Sequence, residues 1–278
     1  MESLRDISDT ARWVAVYRAR ENERADALFR DPLARRLAGE RGEEIARSLK
    51  RQDRHEWAFN TRTYVFDELL RDELANGADM VINLAAGLDA RPYRLDLPPS
   101  LQWIEVDLPP LIAYKEEVLR GERPRCALER VALDLSNPQA RRALFTRLGA
   151  TSRRAVILTE GLLIYLPPDD VRALADDLAA QPSFQRWIFD IASAKLVAMM
   201  QKEFGKALTQ ANAPFKFAPA DGPEFFAQSG WQTMDVRSNL KVAAQLKRLS
   251  FVLRLFAMIP EGKPPWSRPW GGVCRVGR

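Results

Sequence analysis

The chain has 278 residues, 46% of them hydrophobic and 28% charged, with a formal net charge of +5. That length holds one large domain with a full hydrophobic core, and no apolar run is long enough to span a bilayer, which excludes an integral helical membrane protein. Basic and acidic residues are interleaved along the chain, so the positive balance reads as solvated surface charge, with neither nucleic acid nor membrane as the expected partner. The opening MESLRDISDTARW lacks the apolar stretch of a secretory signal and the acid-poor character of a transit segment. Cys126 and Cys274 stand far apart with no CxxC pair, so neither a disulfide framework nor a zinc site is expected, and a reducing cytoplasm fits.

In chain order, the first 71 residues read as a helical cap. Stretches 10–24, 32–37, 42–50 and 57–70 carry apolar residues at spacings of three and four. From residue 79 the pattern changes to alternation: MVINL, then LQWIEVDL, a helix over 111–120, LERVALDL, a helix over 138–148, AVILTEGLLIYL, a helix over 168–180, and RWIFDIA. Short apolar strands separated by helices imply an α/β fold, a doubly wound, mostly parallel Rossmann-like sheet covered on both faces. Residues 79–192 form the cofactor-binding core on this reading, and ligand sits at the strands' carboxyl ends. Residues 193–220, rich in Met, Phe and Lys, interrupt the alternation and read as a helical lid insert in which Met199, Met200 and Phe204 form an adaptable apolar wall. Residues 221–278 supply a helix over 221–228, a strand WQTMDVRS, a long basic helix over 241–254, and a last strand GVCRVG that closes an antiparallel hairpin. Basic residues among apolar ones in LKVAAQLKRLSFVLR allow a membrane-surface helix, but a core-packed helix with a basic outer face is the expectation.

The chemistry concentrates at the strand ends. MVINLAAGLDARPYRL ends a buried strand in Ala85, Ala86 and Gly87, small residues that let backbone approach a ligand closely. The loop has one glycine where a dinucleotide fingerprint wants GxGxxG, so alone it is as consistent with a plain strand-to-helix turn. Asp107 ends the second strand twenty residues after Gly87, placed to accept from both ribose hydroxyls of an adenosine with Leu108 beside it; the alternative is a helix cap. The third strand ends in Leu133, Asp134 and Leu135, where Asp134 faces an adenine amino group and Leu135 packs on the ring, again with a cap as alternative. Glu160 emerges from a buried strand and needs a partner, which a ligand ammonium would supply. Arg62 shares a helix face with Phe59 and Phe66, an unusual place for an exposed arginine and suited to clamping a carboxylate.

Together these pieces resemble the leucine carboxyl methyltransferase family, in particular its bacterial branch of S-adenosylmethionine-dependent O-methyltransferases, some of which act in polyketide and other secondary metabolism. The resemblance runs through DTARWVAVYRARENERADALFRDPLARRLAG, TRTYVFDELL, NLAAGLDARPYRL, IEVDLPPLIAYKEEVL, VALDL and TEGLLIYLPPDDV. It implies that Arg62, joined by Arg18 from the N-terminal helices, holds the methionine carboxylate of S-adenosylmethionine. It further implies that Gly87 and its neighbours pass beneath the amino acid part, Asp107 binds the ribose, Asp134 and Leu135 bracket adenine, and Glu160 faces the amino group. The resemblance departs at this loop: many family members have a glycine where this chain has Ala85 or Ala86, and a threonine where it has Ala90.

The expected activity is methyl transfer to a carboxylate or hydroxyl of a small-molecule or peptidic acceptor. A nicotinamide-dependent oxidoreductase shares the Asp107 logic but calls for more glycines in the first loop. A nucleic-acid methyltransferase calls for Asn/Asp-Pro-Pro-Tyr where LTEGLLIYLPP stands, and a non-catalytic nucleotide-binding protein is the third class. Tyr165 is the candidate for orienting the acceptor, with a packed core tyrosine as the alternative. His55, the single histidine, lies in the charged stretch RQDRHEW and reads as exposed.

Overall fold

The computed structural model describes residues 7–210 and 213–278. Its sheet has seven strands in the order β3-β2-β1-β4-β5-β7-β6: β1 (Met80–Leu84), β2 (Gln102–Asp107), β3 (Ala127–Ala132), β4 (Ala155–Thr159), β5 (Phe184–Ala192), β6 (Gln232–Ser238) and β7 (Gly271–Gly277). The first five pair in parallel, and β7 lies antiparallel between β5 and β6. The expected Rossmann-like sheet and its closing antiparallel pair are both present. Strand order reverses between β1 and β4, opening a crevice at their carboxyl ends.

Alternate residues of the central strands feed opposite layers. Ile82, Ile104 and Ile157 join Phe145, Leu174 and Trp187 on one face, whereas Val81, Trp103, Val156 and Leu158 join Val65, Phe66 and Leu69 on the other. Both central strands, β1 and β4, are buried along their whole length, which is why they read as unbroken apolar runs. The helices are α1 (Ile7–Glu23), α2 (Ala34–Ser48), α3 (Glu56–Ala75), α4 (Arg91–Arg94), α5 (Pro109–Val118), α6 (Pro138–Thr151), α7 (Pro168–Ala179), α8 (Ala194–Gln210), α9 (Asn239–Gln245) and α10 (Phe251–Ala257). Proline at the first turn starts α5, α6 and α7 where its missing N–H costs nothing. Pro-initiated helices thus follow β2, β3 and β4, the last after a 3-10 turn over Leu163–Tyr165.

Three expectations are corrected. The third strand stops at Ala132, and Leu133, Asp134 and Leu135 continue past it. The helix expected over 221–228 is a 3-10 helix, Gly222–Ser229. The single helix expected over 241–254 is instead α9 and α10, separated by a turn in which Lys247 takes φ 58°. The break turns Arg248 inward, where it bonds Glu21 and Asp26 at 2.8 Å each, and it buries Leu249. As a result α10 is not core-packed, and Phe251 is 75% exposed.

Candidate functional site

A cavity of about 360 Å³ opens at the carboxyl ends of β1, β2 and β4 and is roofed by α1. Ala85, Ala86, Gly87, Asp107, Leu108, Asp134, Leu135, Glu160, Arg18, Arg62 and Tyr165 all line it, so the residues expected around the donor, and the candidate for orienting the acceptor, converge on one space. After β1 the backbone turns left-handed at Ala85 (φ 54°) and again at Gly87 (φ 52°). The first costs an alanine about 1–2 kcal/mol, strain of the sort that collects where a chain is bent toward a ligand. At Gly87 a side chain would meet the Ala11 Cβ of α1 at 3.5 Å.

Asp107 receives the Gly87 N–H at 2.6 Å and the Leu108 N–H at 2.7 Å. It is not a helix cap: Leu108 occupies that position of α5, with no side-chain bond. Burial pushes the Asp107 carboxyl above its usual value despite those two donors. Asp134 is exposed, and its Oδ1 accepts the Ser136 N–H at 2.9 Å, while Asn137 caps α6. The cap alternatives fail at both positions.

Beneath the cavity lies a network of guanidinium and carboxylate groups. Arg62 donates from Nε to Glu160 and from Nη1 to Asp190, 3.1 Å each, and its Nη2 donates no hydrogen bond among the described residues. Arg91 donates to Asp67 at 2.6 Å, to Asp89 at 2.8 Å and to Glu160 at 2.8 Å. Arg94 closes the group on Asp67. Three arginines therefore face four carboxylates, Asp67, Asp89, Glu160 and Asp190. One net negative charge remains below the cavity, and a cationic ligand complements it. Burial works to raise Glu160, but the Arg91 and Arg62 charges outweigh it and hold its carboxyl below the usual range. At Asp190 burial wins over Arg62 and the Gly161 N–H, and its carboxyl is raised. Gly161 (φ 69°) matters here, because a Cβ would press on the Arg62 guanidinium at 3.3 Å.

The partner that Glu160 was expected to need is supplied within the protein by Arg62 and Arg91. Glu160 Oε1 accepts from Arg62 and Thr63 and Oε2 from Arg91; of the four acceptor sites of a carboxylate one is left. Arg18 lines the cavity but is engaged, with Nε on Asp31 at 2.9 Å and Nη2 on the Leu88 carbonyl at 2.6 Å. It fixes the loop after β1.

A second cavity, about 700 Å³, adjoins the first. Thr10, Val14, Phe59, Arg62, Gly161 and Tyr165 line both, so the two spaces meet there. The walls of the second are mainly apolar and aromatic, including Trp13, Trp57, Met199, Met200, Phe215 and Trp270. The insert contributes α8 and residues 213–217, whose backbone docks on Ile164 through the Lys216 N–H at 2.7 Å. The Phe204 side chain lies outside the described residues. Burial raises the Tyr165 hydroxyl, against the Arg62 charge and a hydrogen bond from Thr10, so it stays protonated at neutral pH. His55 is not exposed as expected. It is half-buried in the wall of the second cavity, with Nε2 3.1 Å from the Glu203 carboxylate of α8.

Sequence reasoning passed over Arg91, Asp89 and Asp190. The signal for Asp190 was present, a lone carboxylate inside the apolar run RWIFDIA. Arg91 and Asp89 stood in the quoted loop, but nothing local shows that Arg91 is buried against Asp67 and Glu160.

The family model for leucine carboxyl methyltransferase matches residues 11–179. The chain belongs to the leucine carboxyl methyltransferase family. Among its relatives in sequence, a Streptomyces coelicolor protein named "Putative S-adenosyl-L-methionine-dependent methyltransferase" is 39% identical over 190 residues, covering 62% of this chain and 64% of that protein. A protein of the same description from Mycobacteroides abscessus is 34% identical over 233 residues, covering 76% and 74%. The match thus spans just under two thirds of the Streptomyces relative's length. A DUF574 family protein from Streptomyces avermitilis superposes with TM-score 0.58 at 14% identity, covering 96% of each chain. A Thermobifida fusca protein described as a "putative methyltransferase" gives 0.59 at 15%, covering 99% and 96%. At those identities the likeness is one of fold.

Proposed function

We propose that this chain is an S-adenosylmethionine-dependent O-methyltransferase, with the donor in the first cavity and a carboxylate or hydroxyl of a small-molecule or peptidic acceptor in the second. The observation that carries the reading is the junction: a cavity floored by one excess negative charge meets a larger apolar one at Arg62, Gly161 and Tyr165. The family relatives' names supply the cofactor class. The residues present fit it. Net negative charge below the first cavity suits a sulfonium and an ammonium, the spare Arg62 Nη2 suits a carboxylate, and the one remaining acceptor site of Glu160 suits the amino group. Asp107, open to the cavity beside two backbone N–H groups, suits the ribose hydroxyls. Leu108 and Leu135 offer apolar surface to adenine, and the exposed carboxylate of Asp134 its amino group an acceptor.

When bound, S-adenosylmethionine supplies a methyl group already activated as a sulfonium. The protein's task is then alignment and exclusion of water. α1 and the insert cover the strand ends, and the apolar walls of the second cavity keep the acceptor dry. Tyr165, held protonated, donates to the acceptor oxygen and does not deprotonate it. The two carboxylates at the junction, Glu160 and Asp190, are both engaged by Arg62. A carboxylate acceptor needs no base, and with both carboxylates engaged by Arg62 none stands ready to deprotonate an alcohol.

Labelled-methyl transfer from S-adenosylmethionine to a panel of carboxylic acids and phenols tests this. The expected product releases its label in mild alkali, as a methyl ester does. Alkali-stable label on phenols overturns the carboxylate preference, and no transfer to any member in the presence of demonstrated donor binding overturns the O-methyltransferase reading.

A further inference from the structure

The helix that broke away from the expected long one is apolar on nearly every side. α10, FVLRLFA, carries a single charged side chain, Arg254, and Met258 and Ile259 extend its apolar surface. A helix of that composition belongs in a core or in lipid, yet none of its residues is buried. Phe251, Val252, Leu255, Phe256 and Met258 are exposed at helical spacing, from 50% at Leu255 to 80% at Met258. Single exposed hydrophobic residues are ordinary, whereas a contiguous patch of five marks a surface that something covers.

Charge says what covers it. Residues 239–268 hold six basic side chains, Lys241, Lys247, Arg248, Arg254, Lys263 and Arg268, against one acid, Glu261. Glu261 is taken by the Ser238 hydroxyl and the Trp270 indole, and Arg248 is turned inward onto Glu21 and Asp26. The other five are exposed and make no ion pair among the described residues. The apolar patch therefore sits in a stretch where five exposed cations stand against one acid. Its inner side is wall: Leu253, Phe256 and Ile259 line the second cavity, and Arg268 lines it too.

We propose that α10 and its basic flanks dock on an anionic lipid bilayer, and that a lipophilic acceptor enters the second cavity from that surface. An apolar face among cations is the pattern of an interfacial segment, with rings and aliphatic chains below the headgroups and basic side chains against them. A second copy of this chain is a poor occupant, because a twofold contact sets the same five cations against each other. A folded acidic protein is a poorer match than lipid, because the five apolar side chains offer no donor or acceptor to fix a register and a bilayer asks for none. This sets aside the earlier expectation of no membrane contact, which rested on charges interleaved over the chain as a whole. The docking half of the proposal stands on α10 alone; the delivery half rests on the acceptor reading of the second cavity.

Vesicle flotation of the full chain tests it, using phosphatidylcholine alone and an equal mixture of phosphatidylcholine and phosphatidylglycerol. The chain should float with the mixed vesicles at low salt, at least about tenfold less with phosphatidylcholine, and be released by high salt. Phe251→Glu/Met258→Glu, two exposed positions that line neither cavity, should lose at least about tenfold in vesicle binding while the melt and S-adenosylhomocysteine binding stay as in wild type. Lys247→Glu/Lys263→Glu should weaken flotation on the mixed vesicles. No flotation with mixed vesicles overturns the proposal, as does flotation undiminished in Phe251→Glu/Met258→Glu, or a solution dimer that this variant dissociates. S-adenosylhomocysteine binding in the same samples reports on the methyltransferase reading separately: its absence with flotation intact fails that reading alone.

Discussion

Replacing Asp107 by asparagine keeps the shape of the side chain and removes its charge. In the wild type Oδ2 takes the Gly87 N–H at 2.6 Å and Oδ1 the Leu108 N–H at 2.7 Å, in a residue only 8% exposed. An amide has one carbonyl oxygen, so one of those backbone donors faces an NH2 group and is orphaned, at about 1–3 kcal/mol. Part of that is returned, because the neutral amide no longer suffers the burial that raises the Asp107 carboxyl. A net stability loss of about 1 kcal/mol follows. The binding loss is larger. One ribose hydroxyl changes from a charged to a neutral acceptor and the other meets an NH2 group, at about 1 kcal/mol each, which is roughly 30-fold in affinity. Isothermal titration with S-adenosylhomocysteine alongside a thermal melt measures both effects. An Asp107→Asn protein that melts like wild type and binds within about twofold of it refutes the assignment of Asp107 to the ribose.

The remaining outcomes follow from the same geometry. Glu160→Gln leaves Arg62 with Asp190 and Arg91 with Asp67 and Asp89, so stability should fall by about 2 kcal/mol and not by the full cost of an orphaned charge; an unchanged melt would show that Glu160 contributes nothing to the network. Tyr165→Phe should leave S-adenosylhomocysteine affinity alone and lower kcat/KM for the acceptor about tenfold by loss of one hydrogen bond, whereas a drop in product affinity would move Tyr165 to the donor side. Cofactor affinity should decline as pH falls through a window that begins above the ordinary aspartate value of 3.8, because Asp107 titrates higher than usual and accepts hydroxyls best as a carboxylate. The linked stability effect has the opposite sign. Asp107 and Asp190 have raised pKa values in the fold, so the native state holds protons the unfolded chain has released, and their contribution to stability declines as pH rises through the same window. Affinity flat from pH 7 down through that window would contradict the role of Asp107.

What the sequence disclosed followed from range. β1 and β4 are buried on both faces and announce themselves as apolar runs, and Pro109, Pro138 and Pro168 mark helix starts, so the alternating core was readable. Asp107 and Glu160 were visible because a charged group at the end of an apolar segment is conspicuous, and Arg62 because it shares a helix face with Phe59 and Phe66. The break between α9 and α10 was not visible, because helical periodicity runs through it. The break falls where Lys247 takes φ 58° and Arg248 turns onto Glu21, 227 residues away. His55 was misread for the same reason: its neighbours are charged, but its partner Glu203 is 148 residues on. Arg91 appears as one more loop arginine until α3, the loop after β1 and the end of β4 bring Asp67, Asp89 and Glu160 around it.

The central claim, a donor cavity built for a zwitterionic sulfonium nucleoside, is tested most directly by calorimetric titration with S-adenosylhomocysteine and, in parallel, NAD. The spare donor on Arg62 and the carboxylate of Asp107 predict saturable one-to-one binding of S-adenosylhomocysteine, and the excess negative charge beneath the cavity predicts none of NAD, whose pyrophosphate would sit over it. Equal binding of NAD, or no binding of S-adenosylhomocysteine by the folded chain, would contradict it.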